Sequence, residues 1–119
     1  MPATIQIEPT GVCLLRVSGV LQQSEFVATQ DVVARAIDAG SKPCLLAILE
    51  NFEGWEQGVA WGNLDFMYWY ANEITKIALV GEPRWEKEAL AFAGAGSRSA
   101  PVKFFPSDQE AQARAWLSE

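Results

Sequence analysis

The sequence predicts an α/β fold in which about four helices cover a mixed, mostly parallel five-stranded sheet. After an initial pair of strands, segments with strand and helix patterns alternate along the chain, which is typical of βαβ units. Two of the strand segments are apolar throughout, as in strands buried on both faces. The chain has 119 residues, 50% of them hydrophobic and 20% charged, so we expect one globular domain over residues 1–119.

The first two strands are expected to form a β-hairpin. Ile5 and Ile7 alternate with polar neighbours in the segment from Ala3 to Ile7. Turn residues at Pro9–Gly11 separate this segment from a second strand at Val12–Val17.

The next element is a helix predicted over residues 25–39. Phe26 and Val33 belong to an apolar series at helical spacing, and Ser24 precedes them as the expected N-cap. Gly40 follows, and glycine adopts the left-handed conformation that commonly ends a helix.

Two apolar segments, Cys44–Leu49 and Ile77–Val80, are predicted to be adjacent strands at the centre of the sheet. Pro83 comes soon after the second one, near the start of a helix, where its missing N–H is not needed. The apolar stripe of this helix consists of Trp85, Ala89 and Phe92.

The chain closes with a strand and a helix. Val102–Phe105 has strand character, and Ser107 to Glu110 fits a capping box in front of the terminal helix. The buried side of that helix is predicted to be Ala113, Trp116 and Leu117.

Composition excludes several function classes. The net charge of −6 and the pI near 4.6 disfavour nucleic acid as a partner. The chain has no histidine, which excludes histidine-based catalysis, and two cysteines cannot supply a four-ligand zinc site. We therefore expect no metal and no cofactor.

The cysteines and the N-terminus indicate a compartment. Cys13 and Cys44 each lie within an apolar segment, which favours buried, unpaired thiols over a disulfide or a redox role. The stretch from Met1 to Glu8 lacks the basic start and apolar run of a signal peptide. We expect a cytoplasmic protein.

An aromatic-rich segment, residues 50–71, is the most unusual part of the sequence. A helix from about Glu56 would place one ordinary apolar stripe against the sheet. Further aromatic residues exceed that stripe and would be covered by neighbouring elements, a second subunit, an apolar ligand or a membrane interface. The candidate ligand or interface residues are Phe52, Trp55, Trp61, Phe66, Trp69 and Tyr70.

Acidic residues accompany the aromatic ones. Glu50 and Glu53 are expected in a loop beyond the carboxyl end of a central strand, where α/β sheets bind ligands, with Glu56 and Asp65 further along. Paired carboxylates can divide acid and base roles, although a solvated acidic loop explains the same pattern. We assign no catalytic residue.

Four local strings follow one another along the chain: Asn51–Trp55, Lys76–Gly81 leading to Trp85, Lys103–Phe105, and Glu110–Leu117. In this order they resemble the SpoIIAA-like (STAS-type) family, in particular its small stand-alone bacterial branch. The resemblance implies a β-α superhelix with an antiparallel N-terminal strand at one edge of the sheet. It also implies kinship with lipid-carrier folds, membrane association and apolar ligand binding.

One family feature is missing from this chain. Anti-sigma-factor antagonists of the wider family carry a phosphorylatable Ser or Thr after the central strand, whereas this sequence has neither from Cys44 to Ile74. The phosphorylation switch is therefore not carried over.

The leading hypothesis is a non-enzymatic STAS-like module. Its aromatic helix, near residues 56–71, would bind an apolar small molecule or associate peripherally with a membrane. The main alternative is a homodimeric protein-interaction or regulatory module without a ligand. A hydrolase that uses Glu50, Glu53 or Asp65 is the third alternative, and it has no identified nucleophile or base.

Overall fold

A computed structural model describes residues 3–40, 42–58, 73–93 and 100–119. Within them, no helix is long and apolar enough to cross a lipid bilayer. The strands are β1 (Ala3–Ile7), β2 (Val12–Leu21), β3 (Cys44–Trp55), β4 (Ile77–Gly81) and β5 (Val102–Pro106). The helices are α1 (Gln23–Asp38), a 3₁₀ helix (Pro83–Trp85), α2 (Glu86–Phe92) and α3 (Glu110–Leu117).

The five strands form one sheet in the order β1-β2-β3-β4-β5. β1 is antiparallel to β2, and the other neighbouring pairs are parallel. The predicted mixed sheet is thus confirmed, including the antiparallel strand at one edge. β3 and β4 are adjacent and lie inside the sheet, as their apolar sequences predicted.

Helices cover both faces of the sheet. Alternate residues of β3 point to opposite faces: Ala47 joins the apolar cluster that also contains Phe26 of α1 and Ala89 of α2. Leu46 joins a second cluster that contains Leu117 of α3. The face covered by α1 and α2 carries the candidate site described below.

β3 is longer than its apolar sequence predicted. It continues to Trp55, and β2 continues beside it to Leu21, with irregular register around Gly19. The expected loop at Glu50–Glu53 is therefore wrong, because these residues lie in a strand. Their burial alternates, with Phe52 inside and its neighbours exposed, which is the period of a strand with one covered face.

The predicted helix from about Glu56 is wrong at its start. The described residues 56–58 are not helical, and the rest of that prediction lies outside the described residues. The other three predicted helices correspond to α1, α2 and α3 of the described chain.

Both predicted side-chain caps are wrong. α1 starts at Gln23, not after Ser24, and the Glu56 carboxylate accepts the Gln23 backbone N–H at 2.8 Å. The capping box before α3 does not form; the Glu110 carboxylate accepts instead from Nε of Arg114 at 3.1 Å. A carboxylate distant in sequence thus replaces the local cap at α1.

The backbone predictions at a glycine and a proline are confirmed. Gly40 follows α1 with φ of 101°, a conformation that is strained for residues with a side chain. Pro83 occupies the first turn of the 3₁₀ helix, where no intrahelical N–H bond is lost.

The two cysteine side chains point to opposite faces of the sheet. Cys13 is buried in the cluster under α1, and Cys44 packs against the cluster under α3. Burial raises the pKa of the Cys13 thiol to about 11 and also raises the pKa of Cys44. Both thiols are free, and they cannot form a disulfide with each other because their side chains point to opposite faces of the sheet. Cys13 is buried as predicted, whereas Cys44 is only partly buried.

The thiols should therefore be unreactive in the native protein. With a pKa near 11, Cys13 carries only about one thiolate per thousand molecules at pH 8, so we expect slow iodoacetamide labelling that accelerates on unfolding. Dithiothreitol should leave the melting temperature unchanged. Fast native labelling of Cys13, measured by mass spectrometry, or a melting temperature several degrees lower in reductant would contradict this.

Candidate functional site

A cavity of about 90 Å³ lies on the face of the sheet that α1 and α2 cover. Its floor consists of residues from four strands, and its walls consist of one side of α1 and the end of α2. The described residues that line it are Ile5, Leu15, Val17, Leu21, Phe26, Thr29, Gln30, Val33, Leu45, Ala47, Leu49, Phe52, Trp55, Ile74, Ile77, Leu79, Ala89, Phe92 and Ala93.

Aromatic rings form one wall of the cavity. Phe52 is 1% exposed, and its ring centroid lies 4.9 Å from that of Trp55 in an edge-to-face arrangement. Phe92 of α2 lies 5.5 Å from Trp55, and 5.2 Å from Phe26 of α1. The rings thereby connect β3, α1 and α2 around the cavity.

Trp85 supports this wall from behind. Its ring lies 5.1 Å from that of Phe52, and its indole N–H donates a 3.1 Å hydrogen bond to the Phe52 carbonyl. The Arg84 guanidinium stacks over the outer side of Trp85 at 5.1 Å from the ring centroid. Phe52 is thus held through its ring and through its backbone.

Gly54 lets the backbone of β3 turn against Trp85. Its φ of 113° is rarely adopted by residues with a side chain, and an added Cβ would lie 3.5 Å from the Trp85 ring. Glycine therefore suits this position for two reasons: it adopts the positive φ, and it leaves room for the Trp85 ring against the backbone of β3.

Two polar side chains of α1 interrupt the apolar lining. Thr29 is buried, and its hydroxyl donates to the Phe26 carbonyl at 2.7 Å. Gln30 lines the cavity and is only 6% exposed; it has no hydrogen bond to another described side chain, and its amide atoms are not among the fully buried ones that lack a partner. A carboxamide in a largely apolar lining places a hydrogen-bond donor and an acceptor where packing alone needs neither.

A second polar group of the wall is also unpaired. Nε1 of Trp55 is buried and has no hydrogen-bond acceptor among the described residues. A buried indole N–H ordinarily has a partner, because leaving it unpaired costs free energy.

The lining carries no charge within the described chain. Charged groups lie outside the cavity: Arg16 pairs with Glu50, and Arg84 with Glu82. An ionised ligand would therefore lose its hydration in this cavity without gaining an opposite charge from the described lining residues.

The candidate residues named from the sequence divide into two groups. Phe52 and Trp55 come together in the cavity wall. Trp61, Phe66, Trp69 and Tyr70 lie outside the described residues, so their place stays a prediction.

The described acidic residues of this segment have different neighbours and do not form a carboxylate pair with one another. Glu50 forms an ion pair with Arg16 on β2, and Glu56 accepts the hydrogen bond from the first residue of α1. Glu53 approaches Gly19, and Asp65 lies outside the described residues.

Sequence reasoning missed Gln30. A detectable signal exists, because Thr29 and Gln30 fall on the helical face that carries Phe26 and Val33. A polar residue within an apolar stripe indicates that the fold buries a polar side chain, which ordinarily requires a hydrogen-bond partner. The sequence predicts Trp85 as part of an apolar helical stripe, but it does not reveal that Trp85 packs against Phe52 behind the aromatic wall.

Replacing Gly54 with alanine should destabilise the aromatic wall. We expect Gly54→Ala to lower the free energy of unfolding by about 1–2 kcal/mol, because the backbone conformation is unfavourable for an L-residue. Chemical denaturation followed by tryptophan fluorescence measures this. Gly11→Ala is the matched control: it also has positive φ, of 93°, with open space around its Cβ. It should lose stability without altering the native tryptophan spectrum, and a fully stable Gly54→Ala protein would contradict the assignment.

The comparisons with known proteins agree with this architecture. A family model described as SpoIIAA-like matches residues 12–118. Among solved structures, the chain is similar to an uncharacterised protein of the DUF3478 family with a SpoIIAA-like fold from Shewanella loihica PV-4. That match has 17% sequence identity and a TM-score of 0.70, and it covers 97% of this chain and 91% of the other. No match was found among curated proteins.

The structural match establishes the fold, and the family model establishes membership. The sheet with one antiparallel edge strand, the helices on both faces and the match across most of the sequence all agree. The chain belongs to the SpoIIAA-like family.

Proposed function

We propose that this protein is a STAS-like module that binds a small apolar molecule in the cavity between the sheet and α1. The observation that carries the proposal is a cavity of about 90 Å³ whose described lining residues are uncharged and, apart from Thr29 and Gln30, apolar. Protein interiors contain few voids larger than a water molecule. A cavity with apolar walls gains free energy when an apolar molecule fills it.

The cavity size suits a small group. An engineered apolar cavity of roughly 150 Å³ holds benzene, so a smaller site of about 90 Å³ takes at most a single small ring or a short segment of a longer chain. The aromatic wall offers ring faces and edges for such a group. The protein's role on this proposal is binding, with no catalytic step.

The aromatic segment named from the sequence extends this proposal. Phe52 and Trp55 begin the segment and lie in the cavity wall. The following residues Trp61, Phe66, Trp69 and Tyr70 would provide the surface through which an apolar molecule arrives from a membrane or a partner. With a net charge of −6, attraction to a lipid surface would come from these rings.

Filling the cavity should remove binding. Val33 lines the cavity and is 4% exposed, so Val33→Phe would place a ring in the space proposed for the ligand. We expect its affinity for toluene, measured by ligand-detected NMR, to fall by at least about tenfold. Circular dichroism and thermal melting show whether the variant folds.

The matched control is Val27→Phe, the same change on the same helix. Val27 is 38% exposed and does not line the cavity, so its replacement should leave toluene affinity unchanged. If Val33→Phe overpacks the core, Ala47→Val offers a smaller filling change from the sheet side. Wild-type protein that binds no toluene, or folded cavity-filled variants that bind it as before, would refute the proposal.

The aromatic segment has its own test. Replacing Trp61 and Trp69 together with serine should abolish binding to phosphatidylcholine vesicles, and wild-type binding should tolerate salt because it depends on rings instead of charge. Vesicle sedimentation at two salt concentrations measures this. Trp116→Ser, on α3 at the other face, is the control for losing an indole.

The solution mass of the Trp61 and Trp69 double variant distinguishes the homodimer alternative from membrane binding. If the double variant changes the solution mass from dimer to monomer while toluene binding persists, the segment is a subunit interface. A double variant that binds vesicles as before, or that does not fold, would make these rings ordinary core.

A further inference from the structure

Gln30 occupies a position at which packing alone favours an apolar residue. It lies one helical turn after Phe26 on the face of α1 that covers the sheet, and its side chain lines the cavity while being 6% exposed. Its amide atoms are not among the fully buried, unpaired polar atoms of the described chain, so they stay accessible to a group in the cavity. The amide therefore provides a donor and an acceptor within an apolar enclosure.

Thr29 shows what a purely structural polar residue does in the same place. Its hydroxyl donates to the Phe26 carbonyl one turn earlier, at 2.7 Å, so its hydrogen bond is made within the helix. Gln30 makes no such bond with the described chain. Among the described residues, Gln30 therefore differs from Thr29 in keeping its amide available to a molecule that enters the cavity.

Trp55 adds an independent observation. Its Nε1 is buried without an acceptor among the described residues, and the ring lines the same cavity. An oxygen atom that accepts hydrogen bonds is the group that both Gln30 and Trp55 lack.

Charge limits the kind of oxygen. No described residue of the lining is charged, and the whole chain carries a net charge of −6. A carboxylate or phosphate would be dehydrated there without a cation from the described lining residues. An alcohol, ketone or ester oxygen loses less hydration and can accept from an amide or indole N–H.

We propose that the ligand is an uncharged apolar molecule with one hydrogen-bonding oxygen, and that the Gln30 carboxamide recognises this oxygen. This inference rests on the proposed function, because it assigns the chemical class of the molecule in the same cavity. Apolar walls hold the carbon skeleton, Gln30 favours the neutral polar derivative over the pure hydrocarbon, and the uncharged described lining favours it over the acid.

The experiment uses three probes of similar size: toluene, benzyl alcohol and benzoate. The dissociation constants of wild type, Gln30→Leu and Thr29→Val are measured by NMR titration on the full chain. The decisive quantity is the ratio of the toluene to the benzyl alcohol constant, because it removes general effects of a variant on the cavity. Gln30→Leu should lower this ratio about three- to tenfold, as expected for one lost hydrogen bond.

Thr29→Val is the matched control, because it removes a polar group from the same wall whose hydrogen bond is already made. Its ratio should equal that of wild type. Gln30→Met is a second apolar replacement of similar length. It allows the same measurement if Gln30→Leu does not fold. Benzoate should bind wild type at least about tenfold more weakly than benzyl alcohol.

The outcomes separate this inference from the proposed function. Binding of toluene and benzyl alcohol with a ratio that Gln30→Leu and Gln30→Met leave unchanged overturns the role of Gln30 alone. Benzoate that binds as tightly as the alcohol overturns the assignment of a neutral ligand. Failure of wild type to bind any of the three probes overturns the proposed function and this inference together.

Discussion

The parallel pairing of β2 with β3 is the interaction on which the rest of the structure depends. It runs from Val12 opposite Cys44 to Leu21 opposite Trp55, through an irregular stretch at Gly19. Its apolar part forms the centre of the sheet and gives both helical layers a surface to cover. Its extension past the apolar part carries Phe52 and Trp55 to the end of α1, where Glu56 accepts the hydrogen bond of the first helical N–H. Without that extension there would be no aromatic wall.

The cavity results from two competing requirements. Close packing favours filling the space between α1 and the sheet, since each unfilled volume loses dispersion contacts. The lining nevertheless combines the short side chain of Ala47, the polar Gln30 and the buried Trp55 Nε1, which has no acceptor among the described residues, and none of these maximises stability. Residues that reduce stability in this way are typical of binding sites, where the ligand supplies the missing contacts. Stability is supplied elsewhere, for example by the two hydrogen bonds between Arg114 and Glu8 that attach α3 to the hairpin.

Prediction from the sequence succeeded where one local signal dominates. The central strands were identifiable because their apolar residues leave no exposed face, and Gly40 and Pro83 were identifiable because few residues suit their backbone conformations. Prediction failed at Glu50–Glu53, because the acidic residues indicated a loop although polar and apolar residues alternate around Phe52 as in a strand. It also failed at the caps, because Glu56 reaches Gln23 across 33 residues of sequence, which no local pattern records.

The sequence by itself determined the fold class, the central strands, the absence of histidine chemistry and the unusual aromatic content, because each follows from residue type and local spacing. Only the tertiary structure decided which of these residues share a site. Phe52, Trp55 and Phe92 meet because β3 and α2 converge over one face of the sheet. Gln30 became notable only when the space beside it was visible, because a sequence records polarity but not whether a polar atom has a partner. Cavities and unmet hydrogen bonds are properties of packed elements, and they arise between segments that the sequence lists far apart.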